Sequence, residues 1–368
     1  MANFAKLIKK VELATYRIYT AYTRSQYAKH DLNRKLNHMD IKPISSKNFA
    51  SIKKFYSSWG IKVDKKWFDL FNTLNSNKQN KIEYYIPHNI YYSEIDSYYS
   101  EVRKAGFYDN KILYDVYFHD IKQPNTIIRK YLPDNGGGKE PIYLDKQYNI
   151  ISREDAIKIC ESHEQLIIKP ATYSSGGSGI KFYDSKKGHS IASLLDSSNI
   201  LVVQEVIKQH ERLNYLHIDS VNTIRIITLI LNNKVNILSC VLRMGQGGAK
   251  VDNASSGGIF CGIEASGQLK NIAYDCNGVI YNKHPQGAIF EEVVIPNFEK
   301  CKELVKKLAP RISSITKLCS WDIAIDCTGN PVLIEANFSF GEVDFHQMCN
   351  GPIFGDLTEN ILTEVFKK

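Results

Sequence analysis

The chain has 368 residues, a net charge of +8, 43% apolar residues and 23% charged residues. That is longer than one ordinary domain and normal for a soluble globular protein, so two or three subdomains are expected. The positive excess suits an anionic substrate such as a nucleotide, a sugar acid or a lipid-linked phosphate, and does not require nucleic acid. No apolar run nears the ~20 residues that span a bilayer, and the first residues do not read as a secretory signal. The eight cysteines form no C-x-x-C pair, so reduced, mostly buried thiols in a cytoplasmic protein are expected.

Residues 1–31 read as a helix with Phe4, Leu7, Ile8, Val11, Ile18, Tyr19 and Tyr22 near one face and Lys6, Lys9, Lys10, Arg17 and Arg24 around it. Such a stripe packs on its own domain or lies on an anionic membrane surface. Residues 44–76 also read as helical, with Trp59, Trp67, Phe68, Leu70 and Phe71 as core candidates. The tyrosines 84, 85, 91, 92 and 98 fit a packing layer or the lining of a sugar site. Asp109-Asn-Lys111 then precedes an expected helix over 112–118, Pro124 to Ile128 an expected strand, and Gly136-Gly-Gly138 a loop. Ser152 is a plausible N-cap for a helix running to about Glu164.

The central stretch is 165–181. Leu166-Ile167-Ile168 reads as a buried strand ending on Lys169-Pro170, and the loop Ser174-Ser175-Gly176-Gly177-Ser178-Gly179 leads into a second strand at Ile180 to Tyr183. Main-chain N–H groups of such a loop form an anion site, and a lysine at its mouth adds fixed charge. It matches neither the P-loop nor the dinucleotide fingerprint. A strand–glycine loop–strand is a flap able to close over phosphates, or simply a hairpin turn.

Downstream lie a strand at 200–206 ending in Gln204-Glu205-Val206, strands at 221–230 and 234–243 joined through Leu231-Asn-Asn233, and further strands at 259–263 and 269–274. A helix is expected over 298–318, a strand pair at 321–326 and 331–337, and a closing helix over 355–368. In the last pair Glu335 and Asn337 share a strand face, and the turn at 327–330 folds Asp322 back beside them. Two carboxylates and an amide oxygen make an all-oxygen set suited to Mg²⁺. Apolar neighbours imply burial, where unpaired carboxylates are costly unless a metal or an arginine compensates.

The order of lysine, glycine flap, Gln-Glu strand, Asn222-Thr-Ile-Arg225 strand and Asp322…Glu335-x-Asn337 hairpin resembles the ATP-grasp superfamily. More narrowly, it is similar to the sugar-transfer-associated ATP-grasp proteins of bacterial polysaccharide loci, over about residues 80–360. The resemblance implies an α+β chain with the ATP-grasp fold: two α/β subdomains clasping ATP, preceded by an N-terminal helical segment. The expected division is 1–80 helical, 81–135 N-terminal α/β, 136–206 lid, and 207–368 catalytic subdomain. It implies that Lys111, Lys169 and the flap 174–179 contact ATP phosphates and that Gln204, Glu205 and Val206 read the adenine edge. Asp322, Glu335 and Asn337 would hold Mg²⁺, Arg225 and Arg243 would stabilise the transferred phosphoryl group together with Lys169, and Asn253 would lie near the metal and phosphates. His210 and Glu211 are candidate ribose partners.

The implied activity is ligation of a carboxylate to an amine through an acyl-phosphate, on a sugar acid in capsule or O-antigen synthesis. The glycan could be lipid- or nucleotide-linked, and the enzyme cytoplasmic, at most peripheral to the inner membrane face. The alternatives are phosphoryl transfer without an amide product and a catalytically silent nucleotide-binding scaffold. No Ser-His-Asp or Cys-His grouping suggests a protein nucleophile, and no basic module suggests nucleic acid.

Overall fold

The computed structural model describes residues 2–75, 79–132, 140–172, 176–197 and 199–367. The expected N-terminal helix extends to His38 (Ala2–His38). The expected run over 44–76 is two helices, Ser46–Ser57 and Lys65–Leu74, capped by Ser45 and Asp64. They are separated at Gly60, whose φ of +70° no helix can continue through.

These helices bury Trp67, Phe68, Phe71, Tyr85, Tyr91 and Tyr92 against Ile227, Leu229 and Leu318 of the C-terminal sheet and Ile361 and Leu362 of the Thr358–Phe366 helix. Of the five tyrosines, 85, 91 and 92 are therefore packing residues, while Tyr98 is exposed. The side of the first helix turned away from this core leaves Val11, Ile18, Tyr19 and Tyr22 in solvent.

Two antiparallel sheets follow. The first contains β1 (Thr126–Tyr131), β2 (Ile142–Leu144), β3 (Ile150–Ile151), β4 (Gln165–Pro170), β5 (Lys181–Asp184) and β6 (Leu201–Glu205), in the order β3-β2-β1-β6-β4-β5. The expected strand near 124–128 is β1, and it pairs with both β2 and β6. The position 135/136 expected as a boundary lies between two strands, β1 and β2, of one sheet. The helix Arg153–Glu161 packs on this sheet, with Ser152 Oγ accepting from Asp155 N as its N-cap.

The second sheet contains β7 (Thr223–Leu231), β8 (Lys234–Met244), β9 (Ile259–Ile263), β10 (Leu269–Asp275), β11 (Ile280–Tyr281), β12 (Leu318–Ile325) and β13 (Pro331–Asn337), in the order β11-β10-β9-β8-β7-β12-β13. Asn232 and Asn233, both at positive φ, make the two-residue turn between β7 and β8. The helix expected over 298–318 is shorter: Phe298–Leu308 is followed by a 3₁₀ turn over Ala309–Ile312 containing Pro310, which cannot extend an α-helix, and β12 starts at Leu318. Every residue of β12 is buried, as expected of a strand covered on both faces. The eight cysteines are all free thiols; five are buried and Cys327 is exposed.

Candidate active site

The two sheets face each other across a cleft of about 1470 Å³. One wall is the flap hairpin. β4 and β5 pair in register from Gln165–Asp184 to Ile168–Lys181, which fixes the glycine loop at the hairpin's open end. Gly176 and Gly177 line the cleft. Gly177 has φ +73°, and a Cβ there would lie 2.2 Å from Asn253 Nδ2, so the flap meets the opposite subdomain where only glycine fits. Ser174 and Ser175 lie outside the described residues; Ser178 and Gly179 are described but are not part of the cleft wall.

The other wall is β7, β8, β12 and β13. Arg225 and Asp322 face each other in register between β7 and β12, and Asp322 faces Glu335 between β12 and β13. Arg225 donates from Nε to Asp322 Oδ1 and from Nη2 to Oδ2, both at 2.8 Å, and from Nη1 to Glu342 Oε2. Arg243 donates to Asp322 Oδ2 (3.3 Å), Asp252 Oδ1 (3.0 Å) and Asn253 Oδ1 (3.0 Å). Burial works against a charged Asp322, but the two guanidiniums win and hold its carboxyl down at about 2. The buried carboxylate is thus compensated by arginines, one of the two solutions open to it.

Lys111 and Lys169 complete the cationic end. Lys111 opens a 3₁₀ turn, Lys111–Leu113, that leads into a short α-helix, Tyr114–Tyr117, within the span expected to be helical, and the Asn110 side chain accepts from Ile112 N. Its Nζ lies 2.7 Å from a Glu335 carboxylate oxygen. Burial opposes its charge, yet Glu335 raises it above the ordinary lysine value. Lys169, at the end of β4, has the reverse balance: burial brings it down to about 8, with Lys111 adding to the fall and Glu335 opposing it. Lys169 is therefore a buried lysine whose charge is held down by desolvation more than it is supported by the neighbouring carboxylates.

The remaining sequence-predicted residues divide. Glu205 and Val206 line the cleft, whereas the Gln204 side chain donates to Thr126 Oγ1 (3.4 Å) away from it. Neither His210, which caps the short helix Glu211–Asn214, nor Glu211 is part of the wall. Glu335 and Asn337 share one strand face beside Asp322. Among the described residues no group of three or more His, Cys, Asp and Glu side chains gathers as a metal cluster. Glu335 and Asn337, which line the cleft, fit Mg²⁺, which uses few protein ligands and leaves the rest to phosphates and water, while both oxygens of Asp322 beside them are engaged by Arg225 and Arg243.

Sequence reasoning missed Asp252, Glu342 and Asp109. Asp252 accepts from Thr223 N (3.0 Å) and anchors Arg243; its signal was its place beside Asn253 in the glycine-rich loop. Glu342 follows Gly341 five residues after Asn337 and has φ +41°. Burial pushes its carboxyl up against the pull of Arg225. Asp109 is raised to about 6 by burial, with Lys111 opposing and Glu335 adding.

The family model described as sugar-transfer associated ATP-grasp matches residues 138–362. No curated protein matches the sequence. Among solved structures the chain is similar to D-alanyl-alanine synthetase A from Vibrio cholerae (15% identity, 70% of this chain and 65% of that one, TM-score 0.41). It is also similar to the ATP-grasp ligase PsnB complexed with minimal precursor, Mg and ADP (12% identity, 72% and 61%, TM-score 0.41). A third is the L-amino acid ligase from Bacillus licheniformis (14% identity, 70% and 48%, TM-score 0.37). The chain spans less than two thirds of each of these proteins. The match over 138–362, more than half the chain, places it in the sugar-transfer associated ATP-grasp family, with the α+β ATP-grasp fold.

Proposed function

We propose that the protein is an ATP- and Mg²⁺-dependent carboxylate–amine ligase that joins a sugar acid to an amine in capsule or O-antigen synthesis. The observation carrying this reading is the composition of the cleft: Lys111, Lys169, Arg225 and Arg243 converge on it from both sheets, beside the carboxylates Asp322 and Glu335. That is machinery for neutralising transferred charge, and no cysteine is among the described residues of the cleft wall.

In the reaction a carboxylate oxygen of the sugar acid attacks the γ-phosphorus of ATP, ADP leaves, and an acyl-phosphate forms. The amine then attacks the acyl carbon and forms the C–N bond, the acyl C–O bond breaks so that inorganic phosphate leaves with that oxygen and the electron pair, and the amine proton passes to a base. Phosphoryl transfer of this kind depends on positioning and charge stabilisation. Lys169 and the flap glycines grip the β- and γ-phosphates, while Lys111 is held near them by Glu335. Glu205 and Val206 flank the adenine, and Asn253 fixes the flap tip. Arg243 and Arg225 stabilise the phosphoryl and acyl-phosphate oxygens from the far side. Glu335 and Asn337, with the arginine-held Asp322 beside them, would hold Mg²⁺, which would supply charge neutralisation to the phosphates. The sugar-acid assignment is supported by the family description alone.

The substrates point to a cytoplasmic site of action. No helix among the described residues is long and apolar enough to cross a membrane. The exposed Val11, Ile18, Tyr19 and Tyr22 on a helix rich in lysine support contact with an anionic membrane surface, where a lipid-linked glycan would be met.

The test is ADP release with Mg²⁺ against a panel of uronic acids and amines, product masses being read alongside. Release that needs both an acid and an amine, yields a condensed product and disappears in Glu335→Gln supports the ligase. A stable phosphorylated product would replace it with the phosphotransferase reading, and nucleotide binding without turnover would favour the scaffold.

A further inference from the structure

We propose that the N-terminal helix completes the end of the cleft where the amine is received, and that Tyr27, Phe340 and Glu342 form a subsite for an amino sugar. The inference rests on the ligase reading and adds the chemical class of the nucleophile.

The two ends of the cleft differ in charge and surface. Lys111, Lys169 and the flap make one end cationic and polar. Beyond Arg225, the cleft is lined by Tyr27, Ser339, Phe340 and Glu342. Tyr27 comes from the Ala2–His38 helix, well outside the region 138–362 that the family model covers. Ser339, Phe340 and Glu342 lie inside that region, so Tyr27 is the part of this wall that the chain's N-terminal helix adds, where selectivity for its acceptor can reside.

The helix is fastened on both sides of Glu342. Arg24, one turn before Tyr27, pairs with Asp96 (2.6 Å), donates to Ser339 Oγ (3.2 Å) and sits 5.2 Å over the Phe340 ring. About two turns beyond Tyr27, the fully buried Lys35 bridges Asp31 (2.5 Å) and Asp344 (3.1 Å). Tyr27 meets Phe340 edge to face at 5.2 Å and Tyr92 at 6.4 Å, yet remains 48% exposed. Its ring is fixed without being covered.

A pyranose has an apolar C–H face that packs on an aromatic ring, and the phenol O–H meets its hydroxyls. Glu342 supplies the anion. Arg225 Nη1 engages one of its oxygens, Oε2. The second oxygen suits an ammonium group, which a neutral N-acetyl group cannot replace. Phe340 and Glu342 both have positive φ (+59° and +41°), rare for such residues. Strain of this kind persists where the surrounding structure holds a side chain in a required place, and it gathers at ligand sites.

The experiment is calorimetric titration of the full chain, loaded with Mg²⁺ and a non-hydrolysable ATP analogue, with D-glucosamine and with N-acetyl-D-glucosamine. Analogue affinity is measured separately. Glucosamine is expected to bind about tenfold or more tighter than its N-acetyl form, a difference of about 1.4 kcal/mol. Tyr27→Ala and Tyr27→Leu, the latter filling space without a flat ring, should each weaken glucosamine about tenfold with analogue affinity unchanged. Tyr27→Phe should retain binding, and Glu342→Gln should erase the preference for the free amine. Equal affinity for the two sugars, no binding of glucosamine, or binding by Tyr27→Leu within twofold of wild type would each overturn the subsite. A wild-type protein that fails to bind the analogue would instead sink the ligase reading itself.

Discussion

Arg225 on β7 and Asp322 on β12 face each other in register and share two hydrogen bonds of 2.8 Å in a fork, in the middle of a sheet where both side chains are almost wholly buried. Arg243 adds a second guanidinium to Asp322, and Glu342 adds a second carboxylate to Arg225. The cluster lies between the strand of Glu335 and Asn337 and the loop of Asp252 and Asn253, so it sets the spacing of the groups expected to meet the phosphates. A planar guanidinium suits the role because its donors are fixed in a fork that matches a carboxylate.

Replacing Arg225 with methionine leaves Asp322 with Arg243 alone. Breaking a buried pair by removing one partner costs about 3–5 kcal/mol, and the remaining guanidinium places the expected loss near about 3. Arg225→Lys should recover little, because an ammonium lacks the fork. Urea denaturation measures this, and a loss under about 1 kcal/mol would show that the pair does not hold the sheet. Asp322 is depressed to about 2 from an ordinary 3.8, so its contribution is complete at neutral pH and fades only as the pH falls below the ordinary carboxylate range.

Lys169 gives a proton signature. With its pKa down at about 8, a large share of it is neutral at pH 8.5, and bound phosphates would restore the charge. ATP binding at that pH should take up a proton, seen as a dependence of the binding enthalpy on buffer ionisation. The uptake should shrink as the pH falls to 6.5 and vanish in Lys169→Met. Equal uptake in wild type and Lys169→Met at pH 8.5 would mean that another group is titrating.

Glu335→Gln removes a carboxylate from the expected Mg²⁺ set and the partner of Lys111. Metal stabilisation of a phosphoryl transition state is worth several kcal/mol, so turnover should fall on the order of 100-fold or more. Nucleotide binding without metal should survive. A variant that keeps half of its turnover would remove Glu335 from the metal set.

Gly177→Ala forces an L-residue into positive φ and brings its Cβ against the Asn253 amide. The left-handed conformation alone costs about 1–2 kcal/mol, which corresponds to roughly tenfold weaker ATP binding if it is levied on the closed flap. Thermal stability should change little, since the loop lies at the edge of the lid. Unchanged ATP affinity would mean that the flap does not close through Asn253.

Several features were legible because their causes are local. The β4–β5 flap follows from an apolar run, a glycine loop and a second run, and the Ser152 cap from one hydroxyl before an acidic first turn. Glu335 and Asn337 share a face because a strand repeats every two residues. Gly60 and Pro310 broke two expected helices because one backbone conformation or one missing N–H outweighs a favourable pattern of side chains.

The sequence by itself determined which strands and loops carry the cations, carboxylates and glycines, since side-chain period, turn chemistry and chain breakers act within a few residues. Only the tertiary structure decided their partners. Arg225 and Asp322 are 97 positions apart, and nothing local dictates that β7 lies between β8 and β12. That order and register come from packing both faces of the sheet at once, because a slip of one residue would exchange the two faces and take Asp322 away from Arg225. The same packing brings Tyr27 against Phe340, joining the first helix to the last strand's loop through a contact that periodicity cannot specify.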